Sequence, residues 1–125
     1  MNFKAKILDY AKISPVILLN GKLTDFENAI VLESTISSKN LGIVNTEKGL
    51  KAPKWFVEAK NQKEPLIIIN NLDDIDKYNQ EKFYELLKYK AISNVELPKN
   101  TRIIILVNNL EKISPNIINL CGVIK

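Results

Sequence analysis

The polar residues best placed to do chemistry in this sequence follow three runs of apolar residues. They are Asn20-Gly21-Lys22, Asn70-Asn71 and Asn108. If the three runs are parallel strands, their carboxyl ends meet at one edge of a sheet, which is where α/β proteins bind ligands. Backbone N–H groups at such an edge can bind phosphate, carboxylates can bind Mg²⁺, and an amide can orient water. These positions therefore form the candidate site.

Gly21, Lys22 and Thr24 are residue types that end a phosphate-binding loop, the Walker A motif. Such a loop needs an earlier glycine and a four-residue spacer, so that several N–H groups converge on the phosphates. Residues 16–20 are Val-Ile-Leu-Leu-Asn and supply neither feature. We expect a tight turn from a strand into a helix, with Thr24 as helix N-cap and Glu27 completing a capping box.

Asn70 and Asn71 stand where a Walker B strand ends in aspartate and glutamate. An amide is neutral, so it provides neither an anionic magnesium ligand nor a base for water. Asp73 and Asp74 follow two and three residues too late, and we expect them in a solvated loop at the start of a helix. A displaced Mg²⁺ or Ca²⁺ site that uses Asp73, Asp74 or Asp76 is the alternative.

Strand and helix patterns alternate along the chain and must position these residues. Short apolar runs predict strands at 16–19, 41–44, 66–69, 101–107 and 121–124. Amphipathic spacing, N-caps and prolines predict helices at 3–12, 25–37, 53–61, 78–90 and 115–120. This alternation is typical of a three-layer αβα sandwich with a mainly parallel five-stranded sheet. We predict one such α/β domain over residues 1–125.

Composition excludes several kinds of catalytic and metal site. The 125 residues include no histidine, one cysteine (Cys121) and one arginine (Arg102). Ser-His-Asp and Cys-His catalysis, zinc sites built on histidine or several cysteines, and clusters of bidentate arginines are therefore excluded within this chain. Cys121 lacks an activating group, and we expect it to be a small buried apolar residue.

Charge and hydropathy suggest the cellular context. The sequence has neither a secretory signal pattern nor an apolar run of about 18–20 residues, and a lone cysteine fits a reducing compartment. We therefore expect a cytoplasmic protein without a membrane partner. The net charge of +4 comes almost wholly from lysines spread along the chain. We attribute them to a composition rich in isoleucine, asparagine and lysine, with weak attraction to nucleic acid as the alternative.

Two segments near the end of the sequence carry a family resemblance. The sensor-1 strand and following helix of AAA+ ATPases, above all of the clamp-loader branch, are similar to Thr-Arg-Ile-Ile-Ile-Leu-Val-Asn-Asn at 101–109 and Ile-Ser-Pro-Asn-Ile-Ile-Asn-Leu-Cys at 113–121. Asn108 falls on the sensor-1 position, and Leu120 falls on the arginine finger of the Ser-Arg-Cys motif. Leu-Pro-Lys-Asn at 97–100 resembles the usual lead-in to that strand.

The resemblance implies an AAA+-like core, a relative of the P-loop NTPases, that has lost its ATPase machinery. The remnant positions are Gly21, Lys22, Thr24, Asn70, Asn71, Asn108 and Leu120. The sequence also stops near Ile124, where family members continue into a helical lid, so we expect the lid to be missing. We expect no catalytic residue, cofactor or metal, and a role as a protein-interaction or scaffold module. Its partner is an unidentified protein, for which the resemblance suggests a DNA replication assembly.

Two other functions stay open. The first is a divergent NTP-binding protein or weak NTPase in which Lys22, Thr24 and Asp73 or Asp74 still act. The second is a small lysine-rich nucleic-acid-binding protein.

Aromatic residues bear on the second alternative. Tyrosines among lysines on the predicted helix 78–90 could stack on a single strand, although a solvated helix face is the expectation. These tyrosines are Tyr78, Tyr84 and Tyr89. Trp55 and Phe56 could likewise bind a partner or a base, but their helical spacing favours the core.

Overall fold

A computed structural model describes residues 3–125 of the protein. Its strands are β1 (Val16–Leu19), β2 (Ile30–Glu33), β3 (Val44–Thr46), β4 (Gly49–Lys51), β5 (Leu66–Asn70), β6 (Ala91–Ile92), β7 (Val95–Glu96), β8 (Arg102–Val107) and β9 (Gly122–Ile124). Its helices are α1 (Phe3–Ile13), α2 (Ser38–Leu41), α3 (Lys54–Lys60), α4 (Lys77–Gln80), α5 (Tyr84–Tyr89) and α6 (Pro115–Ile118). Short 3-10 turns lie at Leu23–Asp25, Leu72–Asp74, Glu81–Phe83 and Leu110–Lys112.

The central sheet has five strands in the order β2-β5-β8-β1-β9, and every neighbouring pair is parallel. The register sets Leu19 beside Val107 and Asn70 beside Leu106, so β1, β5 and β8 end at the same edge. The β3–β4 and β6–β7 pairs are antiparallel hairpins outside this sheet. The predicted α/β class with a parallel five-stranded sheet is confirmed.

Helices or loops cover both faces of the sheet, because its strands are apolar at successive positions. One face packs against α1 and the segment 20–29, through Ile7, Ala11 and Phe26. The other face packs against α3, α5 and α6. The residues of these helices and their flanks in that core include Trp55, Phe56, Phe83, Leu86 and Ile117. The expectation that Trp55 and Phe56 belong to the core is confirmed.

The connection after β1 differs from the prediction. The helix predicted at 25–37 does not form, because Asn28 has a left-handed φ of 59° and residues 30–33 are strand β2. Ile30 and Leu32 are buried while Val31 and Glu33 are exposed, the alternation of a sheet strand. Isoleucine and valine are β-branched, so pairing with β5 is favoured over a helix there.

The strand predicted at 41–44 is also wrong as a member of the sheet, because β2 occupies the place beside β5. Instead, α2 ends at Leu41, and the chain then enters the β3–β4 hairpin. Ser37 caps α2 by accepting a hydrogen bond from the backbone N–H of Asn40 at 3.1 Å. Gly49 permits the turn of the hairpin with a φ of 107°.

The remaining predicted elements agree with the structure to within a few residues. Helical turns are continuous from Lys77 to Tyr89, with a 3-10 segment in the middle. The unpredicted β6–β7 hairpin turns at Ser93 and Asn94, which both have positive φ and donate their backbone N–H groups to the Glu85 carboxylate at 2.8 Å. None of the helices in residues 3–125 combines the length and the apolar character needed to cross a bilayer.

Candidate functional site

The structure brings the predicted strand-end residues to one edge of the sheet. β1 and β8 remain bonded to their ends, since the N–H of Asn20 donates to the carbonyl of Val107 at 2.8 Å. Asn70 ends β5 one strand away, and Asn108 directly follows β8. The predicted strand-end residues therefore lie close together at this edge. The contacts that they make determine which ligands they could bind.

The turn after β1 is closed. Asn20 has a left-handed φ of 57°, which redirects the chain at once. Gly21 then lies directly on the side chains below it, because a Cβ at this position would come within 2.7 Å of Leu18 Cγ and 3.0 Å of Leu106 Cδ2. The expected tight turn is confirmed, and a cavity of about 570 Å³ lies beside it.

No helix follows this turn. Thr24 lies in the 3-10 turn Leu23–Asp25 and is exposed, so the prediction that it caps a helix is wrong. Lys22 is also exposed and extended, with φ −109° and ψ 136°. In nucleotide-binding loops, the N–H groups of a helix N-terminus contact the phosphates. The connection from β1 to β2 consists of residues 20–29 and contains no such helix.

Asn70 is engaged with a carboxylate on the neighbouring strand. Its Nδ2 donates to Oε1 and Oε2 of Glu33 at 3.0 and 3.1 Å. An aspartate at this position would instead set two anions against each other. Asn71 follows with a left-handed φ of 59° and leads into the turn Leu72–Asp74. Asn70 therefore serves the local structure through its amide, and Asn71 through its backbone conformation.

Asp73 fastens the loop after β5 to the loop after β8. Its Oδ2 accepts hydrogen bonds from the backbone N–H groups of Asn108 and Asn109, both at 2.9 Å. Its Oδ1 is buried and finds no hydrogen-bond donor within residues 3–125. The expectation of a solvated carboxylate is therefore wrong for Asp73, although Asp74 is exposed as expected.

The acidic residues of this loop line one open cavity, but each has a different role. Asp76 is the N-cap of α4, where its Oδ1 accepts from the backbone N–H of Asn79 at 2.8 Å. Asp73 is bonded to the loop after β8, and Asp74 is exposed. Across residues 3–125, no three side chains of histidine, cysteine, aspartate or glutamate are grouped so that they could hold a metal ion.

Gln80 stabilises the same edge from inside the core, a role that the sequence did not predict. Its fully buried Nε2 donates to the carbonyls of Leu72, Ile75 and Lys112 at 3.3, 3.0 and 2.8 Å. Its Oε1 accepts from the backbone N–H of Ser114 at 2.8 Å. Gln80 therefore ties both strand-end loops together through backbone groups.

A signal for this brace was present in the sequence. Gln80 shares the apolar face of the predicted helix 78–90 with Phe83 and Leu87, and a polar residue on such a face needs buried partners. The adjacent Glu81 extends the brace by accepting from Ser114 Oγ at 2.7 Å.

The last residues before β9 are apolar and packed. Leu120, which the resemblance would align with an arginine finger, is half-buried against the core. Cys121 donates its thiol to the carbonyl of Ile117 at 3.1 Å, and burial raises the pKa of this thiol to about 12. The expectation of an unreactive packed cysteine fits these contacts. The side chain of Asn108 is exposed.

Comparisons with known proteins find a likeness in structure but none in sequence. No family model matches the chain, and no curated protein sequence is significantly similar to it. Among solved structures, the fold is similar to the crystal structure of NtrX from Brucella abortus, with a TM-score of 0.49 and 14% sequence identity. The alignment covers 86% of this chain and 29% of the NtrX chain. A likeness at this level assigns neither a family nor a function to the protein.

Proposed function

We propose that the protein is a catalytically inactive AAA+-like domain that acts as a protein-interaction or scaffold module. One observation carries the proposal: the polar groups at the carboxyl edge of the sheet bind one another. Asp73 accepts the N–H groups of Asn108 and Asn109, and Asn70 donates to Glu33. In a nucleotide-hydrolysing α/β protein, the corresponding groups bind phosphate, Mg²⁺ and water.

Phosphate binding has little support at this edge. A phosphate loop needs several free N–H groups around one centre. Here the N–H of Asn20 is bonded to Val107, and Gly21 rests on apolar side chains. Lys22 alone would give a point charge without the surrounding N–H groups that hold a nucleotide in place.

Hydrolysis has even less support. Loss of one preorganised charge or donor from a catalytic site typically reduces the rate by about 10²–10³. Asn70 and Asn71 replace two acids, and Leu120 replaces a cation. Such losses are not additive, but across the described residues no group of three acidic, cysteine or histidine side chains could hold a metal ion in their place.

The surface beside β9, the last strand in the order of the central sheet, favours the interaction role. In the described part of the chain, β9 pairs with β1 alone, so its other edge is open to a further strand. Beside it, Tyr10 of α1 is 59% exposed, and Val123 of β9 is 37% exposed. A groove of about 410 Å³ separates α1 from β9. An extended segment of a partner protein fits such an edge by strand addition.

The resemblance of residues 101–121 to clamp loaders supports a DNA replication assembly as the setting. Some clamp-loader subunits use the same core without hydrolysing nucleotide. A domain of this kind contributes shape and contacts to an assembly, and its partner subunits contribute the chemistry.

Nucleotide binding provides the first test. We expect the melting temperature to be unchanged by a saturating Mg²⁺–nucleotide analogue, and phosphate release to stay at the level of the blank. Lys22→Ala should behave like the wild type in both assays. A stabilisation above about 1–2 kcal/mol that Lys22→Ala abolishes would contradict the proposal and restore the NTP-binding alternative.

The interaction role is tested by affinity purification from the source cells with matched variants. Tyr10→Glu places a charge on the surface beside β9, and Val57→Glu places the same charge on exposed α3. We expect a protein that is retained by the wild type and by Val57→Glu, and lost with Tyr10→Glu. Equal retention by both variants would contradict the role of the β9 surface.

A further inference from the structure

The excess positive charge of the protein lies in one part of the chain. Residues 39–63 contain six lysines and two glutamates, a net charge of +4 that equals the charge of the whole sequence. The rest of the chain holds equal numbers of basic and acidic residues. The lysines are spread along the chain as described above, but only this segment leaves a surplus of positive charge.

Three of these lysines line one groove. The groove has a volume of about 550 Å³ and lies between α2, the β3–β4 hairpin and the start of α3. Lys39, Lys51 and Lys54 reach it from these three elements, and all three are exposed. Among residues 3–125 the ion pair is that of Lys12 with Asp9 at 3.9 Å, so none of the three groove lysines lies within ion-pair distance of a carboxylate.

The hairpin adds a suitable shape to this charge. β3 and β4 pair with each other and with no strand of the central sheet, so they form a separate two-stranded ribbon. Val44 lies opposite Lys51 in the ribbon, and both line the groove. Lys48 adds a further exposed cation at the turn, next to Glu47.

We propose that this lysine groove and the β3–β4 ribbon bind the phosphate backbone of duplex DNA. A duplex presents one phosphate charge about every 1.7 Å along its axis, and its major groove admits a two-stranded ribbon. Single strands are held by exposed aromatic rings, but Trp55, the aromatic residue that lines the groove, is 8% exposed. The exposed Tyr78 and Tyr89 belong to α4 and α5 and do not line it.

The duplex binding is independent of the proposed function, because it uses neither the nucleotide edge nor the β9 surface. Because this binding uses phosphate contacts, it does not depend on the base sequence of the DNA. Neutralising about three phosphates implies a slope of about −2.7 in log affinity against log salt concentration. Between about 50 and 200 mM salt, the affinity should therefore fall by about 40-fold.

Fluorescence anisotropy with a labelled DNA duplex tests the inference. The test variant is Lys39→Gln, Lys51→Gln and Lys54→Gln combined. The matched control is Lys6→Gln, Lys77→Gln and Lys99→Gln, which removes the same charge from exposed lysines outside 39–63. Thermal unfolding checks that both variants fold as the wild type does, as expected for exposed side chains.

We expect the groove variant to lose at least about 10-fold in affinity and most of its salt slope, while the control stays within about threefold of the wild type. Equal losses in both variants would overturn the proposal, as would absence of wild-type binding at low salt. Tighter binding of the single strand than of the duplex would also overturn it. So would displacement of the duplex by poly-glutamate at equal charge, because the groove would then be a general site for acidic proteins.

Discussion

Replacing Gln80 with alanine removes four hydrogen bonds from the buried side of the carboxyl edge. The amide lost by this change reaches backbone groups of both strand-end loops, at Leu72, Ile75, Lys112 and Ser114. Because Gln80 is fully buried, the shortened side chain leaves these groups without their partner. Each buried polar group left unsatisfied costs about 1–3 kcal/mol.

The size of the effect follows from how these groups share the amide. Three carbonyls share two Nε2 hydrogens, so the bonds are not all at full strength, and the 3.3 Å bond to Leu72 is the weakest. Relaxation of the exposed 3-10 turns recovers part of the loss. We therefore expect Gln80→Ala to lower the free energy of unfolding by about 3–5 kcal/mol, a large share of the stability of a domain this size.

Urea denaturation followed by far-UV circular dichroism measures this change, with free energies compared at a common slope. Gln62→Ala is the matched control, because it deletes the same groups from an exposed glutamine and should cost less than about 0.5 kcal/mol. Gln80→Glu adds a diagnostic, since a carboxylate facing three carbonyls is favoured only when protonated. Its stability should rise as the pH falls towards 4. Equal effects of Gln80→Ala and Gln62→Ala would refute the bracing role.

Three further substitutions or treatments test the contacts of the site. Asn70→Asp sets a second carboxylate about 3 Å from Glu33. The free energy of unfolding should therefore fall by about 1–2 kcal/mol as the pH rises from 4 to 7, and adding Glu33→Gln should restore it in thermal unfolding. Asp73→Ala removes the acceptor of two backbone N–H groups and should lower the free energy of unfolding in urea by about 2–3 kcal/mol. Asp74→Ala should lower it by less than about 0.5 kcal/mol, and equal losses would contradict the capping role of Asp73. Burial raises the pKa of the Cys121 thiol to about 12, so at pH 8 a disulfide reagent should label it at least about 100-fold more slowly in the folded protein than in denaturant. The same shift stabilises the fold below the ordinary thiol pKa of about 9, and this contribution is lost as the pH rises towards 12, which pH-dependent unfolding measures.

The sequence was sufficient to predict the central strands and the edge at which they end. β5 and β8 are continuous apolar runs, and few structures other than a buried parallel strand accommodate them. β2 escaped prediction because apolar residues at 26, 29, 30, 32 and 36 fit a helix as well as a strand. Its conformation depends on pairing with β5. In this pairing Glu33 lies beside Asn70, which comes 37 residues later in the chain.

The contacts within the site were beyond sequence reasoning for a related reason. Asp73 looked like a loop residue, because nothing local marks the backbone groups that it binds 35 and 36 residues later. Gln80 reaches 32 and 34 residues ahead in the same manner. Residue types at a strand end indicate which chemistry is available. Only the packing of the loops decides whether those groups face a ligand or each other.

Asp73 occupies backbone donors at the carboxyl edge of the sheet. Its carboxylate accepts two N–H groups at the end of β8, as an anion bound there would, so these groups are satisfied within the chain. This arrangement also limits what a single substitution can restore. Asn71→Glu would place an acid where the resemblance sets the Walker B motif, yet Gly21 would still lie against Leu18, and residues 20–29 would still contain no α-helix to receive phosphates. On the proposed function, we therefore expect that hydrolysis needs a longer loop, a following helix and the release of Asp73, and that these changes help only when made together.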